Sequence, residues 1–561
     1  MRITDTSDRW WKNAVVYSLD VETFYDSNGD GVGDLAGLAQ RIDYLAELGI
    51  TVLWLMPFYP SPDKDDGYDI TDFYGVDPRL GTLGDMVEVI RTAHDRGIRV
   101  IADLVVNHTS DEHPWFVQAR RSTDNPYRDW YVWRDTEPPD TSSKVVFPDA
   151  EDSIWEKDPA TGQWYLHNFY AFQPDLNIAN PAVRDEILKI VGFWTQLGID
   201  GFRVDAVPFI LDTTGYTAAE KRALGDPQDF LREIASFLGR RTGDGILLGE
   251  VNIAYKDQHT YFGGDRGDGL TMQFDFIGMQ AAYLSLARQD ARPLVKALTT
   301  RSSFALSRES QWANFLRNHD ELTLDKLTDK QRQEVFDAFG PQPSMQVYGR
   351  GLKRRLPAMV DSDPRRVRMA YSLLFSLPGT PALFYGEEIG MGENLSEPGR
   401  MAVRTPMQWT GQETGGFSTA PVGELVSALP GDGYSPQHVN VADQRGDPDS
   451  LLSFIRQLIF RYRQHPELGW GAMTVLDQPH HAVLVHRCRW EESSVVAAHN
   501  FSGTGASVRF TVPDVAPGTT LVDIFADDTL PMGPDGQVEV VLDGYGFRWL
   551  RVQGPQDPRL W

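Results

Sequence analysis

Eight short apolar runs, most of them closed by a polar or acidic residue, constrain this chain more than any other feature. They are AVVYSLDV (14–21), TVLWLMPF (51–58), RVIADLVV (99–106), GFRVDAV (201–207), ILLGEVNI (246–253), MQFDF (272–276), WANFLRN (312–318) and PALFYGEEI (381–389). Between several of them lie amphipathic stretches of helical period, such as LAGLAQRIDYLAELG (35–49) and LGDMVEVIRTAHDRG (83–97). Strands buried on both faces read as continuous apolar runs, and eight of them alternating with helices predict an α/β protein built on a (β/α)8 TIM barrel. An open doubly wound sheet alternates in the same way, but polar ends on most runs suit the loops at a barrel mouth.

The spacing is uneven. The third run ends near Val106 and the fourth begins near Gly201, far more chain than a simple crossover needs. That stretch is rich in Trp, Tyr, Pro and Asp, and predicts a small irregular subdomain inserted at 107–175. Residues 1–106 and 176–468 would then make the barrel. After the helical stretch LLSFIRQLIFRYRQHPEL, the runs AVLVHRCRW, SVVAAHNF, SVRFTV, TLVDIFA, VEVVLD and GFRWLRVQ predict a C-terminal antiparallel β-sandwich over 469–561.

Composition excludes some functions. A formal net charge of −26 repels the phosphates of nucleic acids and anionic membranes, so neither is an expected partner. The single cysteine, Cys488, rules out an intrachain disulfide framework and fits a reducing compartment. No apolar stretch reaches the length of a signal peptide or membrane span, so a cytoplasmic location is expected. No glycine loop built to cradle phosphate is present, and no organic cofactor is expected. A homo-oligomer is compatible with the sequence.

Chemistry concentrates at the ends of the apolar runs. Asp205 lies in GFRVDAV, Glu250 in GILLGEVN and Asp320 in FLRNHDE, which would gather three acids on one rim. Paired carboxylates at such a rim are what glycosidic bond cleavage through a charged transition state requires. Strand period 2 places Arg203 on the same face as Asp205, where a guanidinium would keep a nucleophilic carboxylate ionised. Glu250 follows ILLG, an apolar setting that would hold its proton as a general acid needs. His108, closing DLVVNH, and His319, beside Asp320, would stand on the same rim. A buried ion pair and solvated loop acids are the structural alternatives. DSNGDGVGD alternates oxygen donors from Asp26, Asn28, Asp30, the Val32 carbonyl and Asp34, a pattern suited to Ca²⁺ or Mg²⁺.

DLVVNH, GFRVDAV, GEVN and RNHD, in this order, resemble the signature regions of the α-amylase family of glycoside hydrolases (GH13), and QPDLN (173–177) resembles its fifth region. The resemblance implies Asp205 as nucleophile, Glu250 as acid/base and Asp320 as transition-state stabiliser. It implies His108, Arg203 and His319, together with Phe172, as sugar- or nucleophile-contacting groups. DDGYDI (65–70) and RTPMQW (404–409) resemble the pair that closes the pocket around a non-reducing terminal glucose. In that pattern Asp65 meets Arg404 rather than Arg400, and Tyr68 stacks on the sugar. The cation at 26–34 would be structural, and a second could use Asn107 and Asp175.

Long stretches, including FYPSPDKDDGYDITDFYGV and RNHDELTLDKLTD, are similar to the trehalose-synthase branch of that family, which isomerises maltose to trehalose through a trapped glucosyl-enzyme. The chain departs from that branch after the acid/base position, where a segment like EANQW is replaced by EVNIAY, and in its opening strand. The expected activity is retaining α-glucosyl transfer on short α-glucosides with side hydrolysis. A hydrolytic α-glucosidase acting on maltose, sucrose or a similar α-glucoside is the alternative.

Overall fold

The computed structural model describes residues 9–526 and 528–555. All eight apolar runs carry strands: β1 (Val16–Leu19), β2 (Val52–Leu55), β3 (Arg99–Leu104), β4 (Gly201–Val204), β5 (Ile246–Gly249), β6 (Met272–Phe274), β7 (Gln311–Phe315) and β8 (Thr380–Phe384). Each pairs in parallel with its neighbours, and β8 returns to β1 through Val16↔Ala382, closing the barrel. Nearly every strand residue is buried, because helices cover the outer face while side chains from alternate positions fill the interior.

Helices of the outer layer start and stop where capping chemistry directs. Helix α1 (Leu35–Leu48) opens on Asp34, whose carboxylate accepts from Gly37 N–H, and ends at Gly49, which takes a left-handed φ of 96°. Helix α2 (Leu83–Asp95) opens with a reciprocal capping box between Thr82 and Asp85.

Two excursions from the barrel frame build the mouth. The first, between β3 and β4, contains a short helix (Pro114–Ala119) and a three-stranded antiparallel sheet of 133–134, 164–166 and 155–157. It returns to the barrel along Asn107–Asp175, where Asn107 Nδ2 donates to Asp175 at 3.0 Å and Leu176 N–H donates to the Asn107 carbonyl at 2.8 Å. The second follows β7 and carries small strands at 322–323, 346–347 and 351–352 with a helix over Asp329–Phe339.

At the C-terminal end a six-stranded antiparallel sheet (472–475, 483–490, 493–500, 547–553, 520–523 and 529–531 in spatial order) faces a two-stranded sheet of 506–511 and 537–542. Val483, Val485, Val496 and Ala498 point between the sheets with Val508, Phe510 and Val540. Leu484, Cys488, Val495, Ala497 and Trp549 instead join the barrel's core, so the large sheet is buried on both faces. No helix among the described residues is long and apolar enough to cross a membrane.

Candidate active site

Side chains at the C-terminal ends of β3, β4 and β5 converge on one buried guanidinium. Arg203, on β4 and only 1% exposed, reaches Asp103 Oδ1 and Asp205 Oδ1 with Nη1, both at 2.5 Å, and Glu250 Oε2 with Nη2 at 2.6 Å. Asp205 and Glu250 thus flank one guanidinium, which brings the two carboxyl groups to the same spot. Asp205 is presented at a turn whose next residue, Ala206, adopts a left-handed φ of 47°, and the Ala206 N–H points at Glu250 Oε2 at 3.2 Å. An alanine in that region is strained, and it is held there by the packing of the rim. Gly249 lets Glu250 take its place, since a Cβ on that residue would come within 2.3 Å of Leu270 Cδ1.

Asp320 is carried by the turn after β7, which Arg317 ties down through the Asn318 carbonyl at 2.9 Å and the Arg354 carbonyl at 2.8 Å. His319 lies with its ring 5.6 Å from Tyr68 and nearly parallel to it, and its Nε2 is 2.8 Å from the Tyr68 hydroxyl and 3.2 Å from Asp320 Oδ2. Asp103 completes the floor by accepting from Trp54 Nε1 at 2.9 Å and the Tyr68 hydroxyl at 3.3 Å. His108 lines the cavity, with Nε2 donating to the Tyr68 carbonyl at 3.1 Å and Asn107 Nδ2 3.3 Å from its Nδ1. Burial lowers its pKa to about 4, so it is a neutral imidazole.

The three acids differ in their hold on a proton. Burial pushes Glu250 up to about 7, with Arg203 opposing and the charges of Asp205 and Asp320 adding to the rise. Burial also raises Asp205, to about 6, although Arg203 touches it. One guanidinium divided among three carboxylates cannot depress any of them far. Asp320 is half-buried and desolvated too, but His319, Arg400, Arg404 and Arg203 hold its carboxyl well below the usual range. One group stays ionised, one binds a proton most firmly, and the third lies between, an ordering that supports acid/base and nucleophilic work in one site.

The pocket is a cavity of about 390 Å³, within the range of small-molecule sites. Asp65, Tyr68, His108, Asp205, Glu250, His319 and Asp320 line its depth; Phe147, Phe169, Phe209 and Phe276 supply apolar faces, and Asn252, Asp325, Lys326 and Arg350 stand nearer the opening. Its closed end corrects two sequence expectations. Asp65 pairs with Arg400, not Arg404: Arg400 Nη2 reaches Asp65 Oδ1 at 2.6 Å while its Nη1 reaches Asp320 Oδ1 at 2.7 Å. Arg404 sits deeper, with Nε on the His319 carbonyl at 2.8 Å, and its guanidinium is taken by Asp66. Two adjacent acids and two arginines four residues apart admit both pairings, and backbone depth decides between them. Phe172 does not line the cavity. It stacks on Tyr170 at 4.9 Å, and Phe169, three residues earlier, faces the site instead.

The segment 26–34 coils as its spacing predicts. Asp26 Oδ1 accepts from Asn28 and Gly29 N–H, Asn28 Oδ1 from Asp30 N–H, and Asp30 Oδ1 from Val32 N–H, while Asp34 caps α1 and binds Ser27. Gly29 and Gly31 take φ of 84° and 92°, the left-handed turns this coil needs. The donors are hard oxygens, the type that Ca²⁺ or Mg²⁺ prefers, but Asp26 already accepts from Asn28, Gly29 and Gly31 N–H and the Ser418 hydroxyl and would have to give up bonds to bind an ion. The carboxylates alone do not converge, so the Asn28 side chain and Val32 carbonyl would have to complete the set. At the second suggested site, Asp175 already accepts from Asn107 Nδ2 and the Asn168 N–H, and burial raises it to about 8.

A closed parallel barrel with three clustered carboxylates and a sugar-sized pocket at its C-terminal mouth defines a carbohydrate-processing (β/α)8 enzyme. Residues 20–338 and 352–471 match the alpha-amylase catalytic domain, and residues 493–551 match the sucrose hydrolase-like C-terminal domain. The chain belongs to the alpha-amylase family of glycoside hydrolases. It is 40% identical over 554 residues to the trehalose synthase/amylase TreS of Mycobacterium tuberculosis (strain ATCC 25618 / H37Rv), covering 97% of this chain and 90% of that one. It is also 40% identical over 542 residues to the trehalose synthase of Thermus thermophilus, covering 96% of this chain but only 55% of that protein's length. The oligo-1,6-glucosidase of Heyndrickxia coagulans is 33% identical over 90% of this chain and 94% of its own. Among solved structures, the trehalulose synthase MutB from Pseudomonas mesoacidophila MX-45 superposes with a TM-score of 0.76 at 27% identity, over 97% of this chain and 99% of that one. The alpha-glucosyl transfer enzyme XgtA gives 0.77 at 27% identity, over 97% of this chain and all of that one.

Proposed function

We propose that this enzyme interconverts maltose and trehalose by moving a glucosyl unit between positions on a second glucose that never leaves the pocket. Asp205 attacks the anomeric carbon, and Glu250 gives its proton to the departing oxygen. Asp320, kept ionised by Arg400, Arg404 and His319, stabilises the positive charge that develops on the ring. The released glucose turns, Glu250 takes the proton from its anomeric hydroxyl, and that oxygen displaces Asp205. Water entering at the same stage gives hydrolysis as a side reaction.

The observation that carries this reading is the closed end. Arg400, held between Asp65 and Asp320, walls off the pocket beyond one sugar ring. Only a terminal glucose fits, so the substrate is a short α-glucoside and not a polysaccharide interior. Likeness to trehalose synthases over nearly the whole chain favours maltose as the donor. An NMR time course with maltose should show trehalose rising beside a smaller amount of glucose. Glucose alone would establish the second reading, a hydrolytic α-glucosidase, which the oligo-1,6-glucosidase likeness favours.

We propose further that the 26–34 coil takes one structural Ca²⁺ or Mg²⁺ through Asp26, Asn28, Asp30, the Val32 carbonyl and Asp34. Dialysis against EDTA should lower Tm and added Ca²⁺ restore it. An Asp30→Asn variant should show smaller changes in both directions, and a Tm insensitive to EDTA in the unaltered chain would remove the ion.

A further inference from the structure

Behind the pocket's closed end, three more carboxylates meet. Asp20 follows β1, Glu22 lies in the next turn, and Asp66 follows Asp65 on the loop that closes the pocket. One oxygen from each falls within 4.8 Å of the other two, the only such group of acidic, imidazole or thiol ligands among the described residues. Asp20 and Glu22 are each 6% exposed, and the Asp66 side chain is 7% exposed. Asp20 Oδ1 accepts from Glu22 N–H at 3.1 Å, whereas its Oδ2 is buried with no hydrogen-bond partner.

Charge around this group does not balance. Arg79 serves Glu22 at 3.3 Å but also Asp63 at 2.8 Å and Asp77 at 3.1 Å, and Arg404 serves Asp66 together with Asp320. Two guanidinium groups therefore answer for more carboxylates than they can neutralise. A buried anionic oxygen without a partner is costly unless it is protonated or meets a cation. Opposed oxygens on a hard divalent ion lie about 4.2–4.8 Å apart, given metal–oxygen distances of about 2.1–2.4 Å.

We propose that Asp20, Glu22 and Asp66 form a binding site for a hard divalent cation, of the Mg²⁺, Mn²⁺ or Ca²⁺ class, distinct from the 26–34 coil. An all-oxygen carboxylate set selects such ions over the softer transition metals. The ion anchors Asp66, and through it Arg404, which fixes the His319 carbonyl and Asp320. Its part is positioning, and the inference holds whichever α-glucoside the pocket takes.

Mn²⁺ is the probe. After removal of bound metal with EDTA, Mn²⁺ binding is counted by electron paramagnetic resonance in the unaltered enzyme and in Asp20→Asn, Glu22→Gln and Asp30→Asn variants. The unaltered chain should bind one equivalent that Asp20→Asn and Glu22→Gln both lose or bind roughly 100-fold more weakly, and that Asp30→Asn keeps. Unchanged stoichiometry and affinity in Asp20→Asn and Glu22→Gln would overturn the site, leaving the carboxylates to share protons instead. Crystals of the unaltered protein soaked in Mn²⁺ give a reading independent of variant folding. An anomalous peak among the three oxygens supports the site, and its absence there overturns it.

Discussion

On the floor of the pocket each charged group finds its partners on neighbouring strand ends: Arg203 with Asp103, Asp205 and Glu250, and Asp103 with Trp54 and Tyr68. The outer wall is assembled from the two excursions. Phe147 and Tyr170 come from the first and Tyr348 and Arg350 from the second; the Phe147 ring lies 4.5 Å from Tyr170 and 5.0 Å from Tyr348. Arg350 donates to the Val146 carbonyl at 2.6 Å, stitching the two together. Floor groups cannot move without breaking buried ion pairs, at about 3–5 kcal/mol for an orphaned partner. Wall groups meet through ring contacts and a few hydrogen bonds, and can separate at lower cost. A rigid floor suits bond making at the donor glucose, and a wall that opens suits exchange of the acceptor.

The largest effect should come from the floor. Asp205→Ala is expected to lower kcat by at least about 10³-fold with the fold retained, because Arg203 keeps Asp103 and Glu250 as partners. Activity above a thousandth of the unaltered rate, measured on freshly purified protein, would move the nucleophile elsewhere.

Glu250 is next, and pH separates it from Asp205. Activity needs Asp205 without its proton and Glu250 with one, so kcat/KM should rise as pH passes about 6 and fall as pH passes about 7, a narrow bell. The two groups touch the same guanidinium, so the limbs describe the pair jointly. Glu250→Gln should lose the alkaline limb and keep far more activity on aryl α-glucosides, whose leaving group needs no proton, than on maltose. Equal losses on both substrates would contradict a proton-donating role.

The floor was legible in the sequence and the wall was not, and the cause is physical. Strand ends are fixed by the barrel, so a polar residue closing an apolar run has only one rim on which to stand, and Asp205, Glu250, Asp320, Arg203 and His319 all arrive there. The same logic reached His108, whereas Tyr68, the Asp65 pairing and Phe172 came only from the family resemblance. The resemblance failed at Asp65, because Arg400 and Arg404 lie on irregular chain where sequence order does not set depth. It failed again at Phe172, where a one-turn change of loop path puts Phe169 at the site. Phe147, Tyr348 and Arg350 gave no signal, since aromatic residues in loops read as packing. Asp103 was within sight inside DLVVNH: period 2 on β3 puts it opposite Arg203, a pairing the register Asp103↔Arg203 makes direct.

The closed end lies between floor and wall in kind, and a double-mutant cycle ranks its two arginines. Asp65→Asn and Arg400→Gln should each raise KM for maltose about tenfold or more and couple by about 1–3 kcal/mol, because both report on one contact. Asp65 with Arg404→Gln should couple more weakly, since Arg404 is spent on Asp66 and the His319 carbonyl. Stronger coupling to Arg404 would restore the pairing that motif spacing suggests.

The smallest change in rate, and the sharpest test of the wall, belongs to Asn252. It stands two residues beyond Glu250, with Nδ2 held by Asp325 at 2.9 Å and Oδ1 buried without a protein partner. Asp325 is itself held by Gln280 at 3.1 Å and Lys326 at 2.7 Å, so the amide is fixed in place at the pocket lining. This is the stretch in which the chain departs from the trehalose-synthase pattern, and it lines the pocket. Asn252→Ala leaves the floor intact, so consumption of maltose should stay within about tenfold of the unaltered rate. Shortening a side chain that lines the pocket gives water room beside the retained glucose, so the ratio of trehalose to free glucose should fall severalfold by NMR. An unchanged ratio with a collapsed rate would mean that Asn252 serves the chemistry directly, and that floor and wall are not separable as described.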